Sequence, residues 1–298
     1  MIKRSQTLLL SLTLIIREAR MGKATAHQRH AFIELLVYWE GRINAKDLER
    51  QFNLSRQQCS AYINSYKQLF PDNLVYDNSH KNYKPSPGFK RHYISADADA
   101  YLNWLHTGHW PEHAATVSPY TAALEIPVRQ VSPDIMRGLV IAVRQQRRID
   151  VEYASLSSPD SIGRILSPHC FVRTGLRWHL RAWCEKSRAY RDFVLSSFRG
   201  TPELLDKATF LANGDTAWNT QVTVLLQPDP RLNPEKRAIL ENDYQMVNGQ
   251  LAITTRGCLV QYLLRELQVN TKVLDGTPEA QQLICVNLVD IKEWLFEG

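Results

Sequence analysis

Cysteine is scarce and scattered. Cys59, Cys170, Cys184, Cys258 and Cys285 are the five in 298 residues, and no two form a Cys-x-x-Cys pair. That spacing excludes a zinc ribbon and a disulfide framework, and a reducing cytoplasm is the expected setting. Long hydrophobic runs are absent too. Residues 8–16 follow Lys3-Arg4 like the apolar part of a signal peptide, but they are too short to span a bilayer, and Arg17-Glu18-Ala19-Arg20 stands where a small-residue cleavage site would be. The segment reads either as an extra N-terminal helix or as sequence upstream of a start at Met21, and no membrane partner is expected. A Gly-rich phosphate loop, a carboxylate pair in the basic stretches and metal-ligand spacing are missing as well. An enzyme, a cofactor and a metal are therefore not expected. Two alternatives stay open: an enzyme on nucleic acid or nucleotides, with His169, His179 and Arg181 as acid–base and phosphate-binding groups, and a non-catalytic adaptor for RNA or single-stranded DNA.

Charge of one sign is missing in places, which says more than the formal total of +6. Residues 96–128 have four acidic side chains and no basic one, between a block of net +5 at 21–95 and a block of net +7 at 129–200; residues 201–298 are net −5. Two basic blocks separated by an acidic connector predict two polyanion-facing surfaces with different tasks. Twelve of the thirteen cations in the second block are Arg, which suits planar, bidentate recognition. The length implies two or three domains.

In the first block, residues 21–95, Phe32, Leu35, Leu36 and Trp39 recur at i, i+3, i+4, i+7, so residues 27–39 read as an amphipathic helix that Gly41 ends. Asn44 caps a short second helix, residues 45–52. Ser55 caps a third, where Cys59, Tyr62, Ile63 and Tyr66 repeat the pattern until Pro71 stops it. This is the helix-turn-helix order. Gln57, Ala61, Asn64 and Gln68 project opposite the apolar stripe, flanked by Arg56, Gln58, Ser60, Ser65 and Lys67, and no acid interrupts that face. A helix that is merely solvated mixes signs. Gln57, Gln58 and Asn64 are candidates for bidentate contacts to adenine and Arg56 for guanine or a phosphate, with Ser55, Ser60, Ala61 and Lys67 completing the DNA-facing set. Residues 74–84 read as a hairpin wing whose Lys81 and Lys84 reach phosphates. The plainer alternative is a three-helix unit that binds protein.

Residues 96–128 read as a helical connector: a helix at 96–106, then Trp110 and the punctuating Pro111, Pro119 and Pro127. Within residues 129–203, Ser132 caps a helix bearing Ile135, Leu139 and Val143, and strands follow at 149–154, 163–166, 170–173, 176–184 and 190–195. A helix feeding about five short strands predicts a small SH3-like or Sm-like barrel. Alternation puts Trp178, Leu180 and Ala182 on one face, expected to be core, and His179, Arg181 and Trp183 on the other, outward face, suited to an anion.

Val151-Glu152-Tyr153, Ser167-Pro168-His169, the run from Gly175 to Cys184, Tyr190-Arg191-Asp192-Phe193 and Ser196-Ser197-Phe198-Arg199 together resemble the WYL domain. The eponymous Trp-Tyr-Leu triplet stands here as Trp178-His179-Leu180, so the middle letter departs from the pattern. The order of domains is similar to that of bacterial WYL transcription regulators, above all repressors of phage-defence islands. The resemblance implies a barrel that senses an anionic effector, a nucleotide or nucleic-acid fragment. Tyr153, His169, Trp178, Arg181 and Arg191 carry the pattern, and His179 sits at the variant position. Each also has a plain reading: Trp178 as core, Tyr153 with its hydroxyl tied to backbone, His169 as a turn residue.

The acidic residues 204–298 read as a small α+β unit: a strand at 222–226, a helix at 234–242, a hairpin around Asn248-Gly249, a helix at 257–268, a strand at 272–274 and a last helix over about 278–294. By resemblance this unit dimerises and closes over the partner's barrel. The expectation is an α+β multidomain protein: a winged helix-turn-helix, a WYL barrel and a C-terminal extension. It would bind a pseudo-palindromic DNA operator as a homodimer.

Overall fold

Helix α1 (Ala26–Glu40) is the axis of the first of two units that meet in sequence between Val140 and Ile141. The computed structural model describes residues 26–108, 129–156, 159, 163–175, 177–272 and 276–296. The expectations for residues 1–25, for Trp110 and the prolines after it, for Leu176 and for residues 273–274 lie outside these.

The expected stripe of α1 is buried, and so are Ile33, Glu34 and Val37. The reason is that α1 is covered on more than one side. Phe32 meets Phe52 of α2 (Ala45–Phe52) and Trp104 of α4 (Ala98–Thr107), each with centroids 5.3 Å apart, while Tyr101 of α4 stacks on Trp39 at 6.0 Å and donates its hydroxyl to Glu40. The helix of the acidic connector thus belongs to the core around α1. Gly41, at φ +73°, ends α1 in the left-handed region that a side chain disfavours.

After α2 the chain turns at Asn53 (φ 51°) into α3 (Arg56–Leu69), whose Cys59, Ile63 and Tyr66 are buried. Ser55 Oγ accepts from Gln58 N, a cap worth about 1 kcal/mol. Asn44 caps less directly than expected: its side chain makes no hydrogen bond to α2, and Asp47 closes that turn by accepting from Asn44 N at 2.9 Å. Strands β1 (Leu74–Asp77) and β2 (Asn82–Pro85) pair antiparallel as the wing. Ile43 exchanges two 2.8 Å backbone bonds with Tyr83 and so adds a third edge that the sequence had not indicated.

The boundary between the units runs within α5 (Pro133–Gln145), which Ser132 caps by accepting from Ile135 N. In the second unit β3 (Arg147–Tyr153), β4 (Gly163–Thr174), β5 (Arg177–Cys184), β6 (Ala189–Val194) and β7 (Phe198–Lys207) form one antiparallel sheet in the order β6-β5-β4-β3-β7. Two expected strands are one: β4 runs through Pro168, with the missing donor absorbed by a register shift between Pro168 and Cys170. Strand β7 was not expected. It pairs with β3, so the last strand lies beside the first, and it continues to Lys207. Edges β6 and β7 share no ladder among the described residues, but Tyr153 at the end of β3 reaches across, its hydroxyl accepting from Val194 N at 3.1 Å. Ile149, Leu166, Leu180, Ala182 and Phe198 fill the interior.

A second, three-stranded sheet follows, in the order β10-β8-β9, made by β8 (Gln221–Pro228), β9 (Leu251–Arg256) and β10 (Leu283–Cys285). Alternating Val222, Val224 and Leu226 join Val260 and Leu264 of α8 (Val260–Glu266) in its core. The helix α7 (Pro234–Asp243) matches expectation; the helix at 257–268 begins as a 3-10 turn, Gly257–Leu259. Asn248-Gly249 makes the tight turn (φ 53° and 72°), yet only the single bridge Val247↔Gln250 flanks it, because β9 pairs with β8 instead. The expected last helix is not there. Leu283, Ile284 and Cys285 pair with β8, and only a 3-10 turn, Lys292–Trp294, follows, since a run of β-branched and apolar residues completes a sheet better than a helix.

Candidate functional site

Helix α3 presents Arg56, Gln57, Gln58, Ser60, Ala61, Asn64 and Gln68 to solvent, with Ser65 and Lys67 half-buried beside them. Ser55 at its cap is exposed too. Gln58 is committed to the helix start, its Oε1 accepting from Ser55 N at 3.0 Å, so it is less free for a base edge than Gln57 or Asn64. The Lys67 ammonium stands 5.2 Å from the Tyr83 ring centre, tying helix to wing.

On the wing, Lys81 is exposed at φ 51°, whereas Lys84 is ion-paired to Asp77. Hydrogen bonds from Lys84 and His80 hold the Asp77 carboxyl far below the usual range, and Asp77 Oδ1 also accepts from Ser79 N and His80 N. Lys84 is therefore first a wing brace and only second a free cation. Behind this surface Glu34, with no exposed area, accepts from His92 N, Tyr93 N and Ile94 N at 2.7, 2.9 and 3.2 Å, and from the Tyr66 hydroxyl at 3.0 Å. One carboxylate thus joins α1, α3 and the segment leaving the wing.

In the second unit the outward face expected for His179 and Arg181 is covered. Both are buried, at 4% and 5% exposure, because residues after the five-stranded sheet fold over that face. Arg181 donates to Asp215 through Nε at 2.6 Å and Nη2 at 2.9 Å, and to Asp192 through Nη1 at 3.0 Å. His169 Nε2 shares a 3.1 Å hydrogen bond with Asp215, and the Tyr262 hydroxyl donates to Asp192 at 3.2 Å. Asp215 also caps α6 (Thr216–Asn219), accepting from Trp218 N. Burial alone would push the Asp215 carboxyl up, but bonds from His169 and Arg181 outweigh it and hold it at about 2. The result is a closed ion cluster, not an empty anion hook.

His179 shares a 3.1 Å bond with Thr174 Oγ1 and faces the Tyr262 ring at 5.4 Å. Trp178 is only half-buried, under the Arg173 guanidinium, while Leu180, Ala182 and Cys184 supply the core of β5. Tyr153 braces the sheet, as in its plain reading. Arg191 alone of the six expected ligand residues is exposed. It lines a cleft of about 340 Å³ with Arg181, Tyr190, Asp192, Tyr262 and Phe296, and a neighbouring cleft of about 1090 Å³.

Sequence reasoning does not reach Asp215 or Asp192 as site residues. Asp192 lies inside Tyr190-Arg191-Asp192-Phe193, opposite Arg181 across the strand pair, where alternation can find it; Asp215 lies beyond β7, and no local pattern marks it. Burial pushes the Cys170 thiol up to about 12 and Cys258 up to about 11, so neither is an activated nucleophile. Among the described residues no group of three or more His, Cys, Asp or Glu side chains could hold a metal ion, and no helix is long and apolar enough to cross a membrane.

A winged helix whose third helix has a polar, acid-free exposed face, followed by a five-stranded sheet and a small α+β unit, defines a regulator of the winged-helix and WYL class. Family models agree: residues 25–107 match the BrxR transcriptional regulator winged helix-turn-helix domain, 134–201 the WYL domain, and 221–291 the BrxR transcriptional regulator C-terminal dimerization domain. Three relatives carry the name DNA-binding transcriptional repressor CapW. That of Pseudomonas aeruginosa is 35% identical over 281 residues, covering 92% of both chains. That of Escherichia coli (strain KTE188) is 34% identical over 282 residues, 92% of this chain and 94% of its own. That of Stenotrophomonas maltophilia is 32% identical over 276 residues, 91% of this chain and 92% of its own. The chain belongs to this BrxR and CapW family of DNA-binding transcriptional repressors.

Proposed function

We propose that the chain is a dimeric, sequence-specific repressor that reads a pseudo-palindromic duplex operator with two copies of α3, in the cytoplasm, and controls a phage-defence operon. The observation that carries this reading is the exposed face of α3, where Gln57, Ala61 and Asn64 stand clear of solvent-blocking neighbours and no carboxylate repels the phosphates. Gln57 and Asn64 read base edges. Ser55, Arg56, Ser60, Lys67 and Lys81 set the register on the backbone. The match to a dimerization domain supports two half-sites on one face of the duplex.

Arg181 is neutralised by two carboxylates, so an anionic effector, a nucleotide or nucleic-acid fragment, is met by Arg191 at the mouth of the cleft, with Tyr190 and Tyr262 offering ring faces. Its binding would shift the equilibrium between arrangements that hold the two winged helices at matched and mismatched spacing. The test is an electrophoretic shift of the DNA upstream of the chain's own gene over a salt titration. A retarded band that weakens steeply with salt is expected; no shift at low salt overturns the reading.

A further inference from the structure

Three clefts in the second unit share one wall. The cleft of about 340 Å³ beside Asp192, that of about 1090 Å³ along Tyr190 and Arg191, and one of about 520 Å³ lined by Arg265 and Lys272 are all bounded by Phe296, the last described residue. A side chain that fills a core is buried. Phe296 is instead 41% exposed, its ring edge-on to Tyr262 at 5.2 Å and beneath the Arg265 guanidinium at 5.4 Å.

Two residues earlier the chain is fixed. Trp294 lies so close to Gly257 that a Cβ there would stand 2.5 Å from its Cε3, so the indole is seated on bare backbone, and Leu295 N closes the turn onto Lys292 O at 3.1 Å. Trp294 is an anchor and Phe296 the arm beyond it. Beneath Phe296, Tyr262 keeps its place without it, bonded to Asp192 and backed by the His179 ring. Moving Phe296 aside would leave the Arg181 cluster intact.

We propose that Phe296 is a gate. Closed, it divides one groove into three; swung off the Trp294 anchor, it admits a ring-bearing anion between Tyr262 and Arg191. The incoming ring replaces like with like, taking the edge of Tyr262 and the guanidinium of Arg265 that Phe296 gives up, while the anion meets Arg191. This rests on the effector reading above and adds its regulation: the ligand competes with a side chain of the protein itself, which sets a threshold concentration for sensing.

Titration of the full chain with anilinonaphthalene sulfonate, a ring-bearing anion, tests it on wild type, Phe296→Ala, Phe296→Asn and Phe296→Leu, with thermal midpoints checked for each. The two small variants should bind about fivefold tighter than wild type or the Leu variant, and adding Arg191→Ala should cancel the gain. Weaker binding by the small variants would make Phe296 a wall the ligand stacks on, overturning the gate while the effector cleft stands. A gain that survives Arg191→Ala would place the dye elsewhere and overturn the gate. Absence of binding by every variant would overturn gate and cleft together.

Discussion

Replacing Asp215 with Ala should destabilise the second unit by about 3–5 kcal/mol, the usual result of stranding half of a buried ion pair. The Asp215 side chain is 1% exposed and accepts two bonds from Arg181, one from Trp218 N and one shared with His169. Without it the Arg181 guanidinium, 6% exposed, keeps only Asp192 as an ion-pair partner among the described residues, and α6 loses a cap worth about 1 kcal/mol. In an Arg181→Met background the same change should cost less than about half as much, because no cation is stranded. Urea unfolding of the full chain followed by tryptophan fluorescence reads this out, Trp218 lying in the capped turn and donating its own N–H to Asp215. The sign with pH follows from the depressed carboxyl: its contribution is whole above 3.8, the unfolded value, and is lost as pH falls toward about 2. That acid limb should shrink in Asp215→Asn. A cost below about 1 kcal/mol for Asp215→Ala, as at solvated pairs, would refute the closed cluster.

Asn64→Ala should cost about 1–3 kcal/mol at one operator base pair and relax specificity there, measured by binding to a panel of single-base operator variants. Lys81→Ala should weaken all sequences alike and flatten the salt slope by about one ion, while Lys84→Ala should do so less, since Asp77 already neutralises it. Glu34→Gln should cost about 2–3 kcal/mol in thermal unfolding of the first unit, because a charged acceptor of three backbone N–H bonds becomes a neutral amide with one acceptor oxygen.

The helix-turn-helix was legible because its signals are local. Gly41, Ser55 and Pro71 mark ends by backbone chemistry, and Cys59, Ile63 and Tyr66 set the buried stripe by period. What failed was non-local. Alternation along β5 correctly separated Leu180 and Ala182 from His179 and Arg181, but it could not show that residues more than thirty positions later bury the second face as well. The same limit hid β7, whose pairing with β3 is a long-range choice, and turned β10 into an expected helix, because Leu283, Ile284 and Cys285 find their partners in β8. Lys84 reads as a phosphate contact because no local pattern marks Asp77 as its partner across the wing.

The most direct test of the central claim is to sequence genomic fragments retained by the purified protein, beside a Gln57→Ala, Asn64→Ala double variant. The wild type is expected to enrich a pseudo-palindromic site, two half-sites about one helical turn or a multiple apart, and the variant to lose that enrichment with general DNA affinity kept. Equal enrichment of all fragments by both proteins, or retention of none, would contradict it.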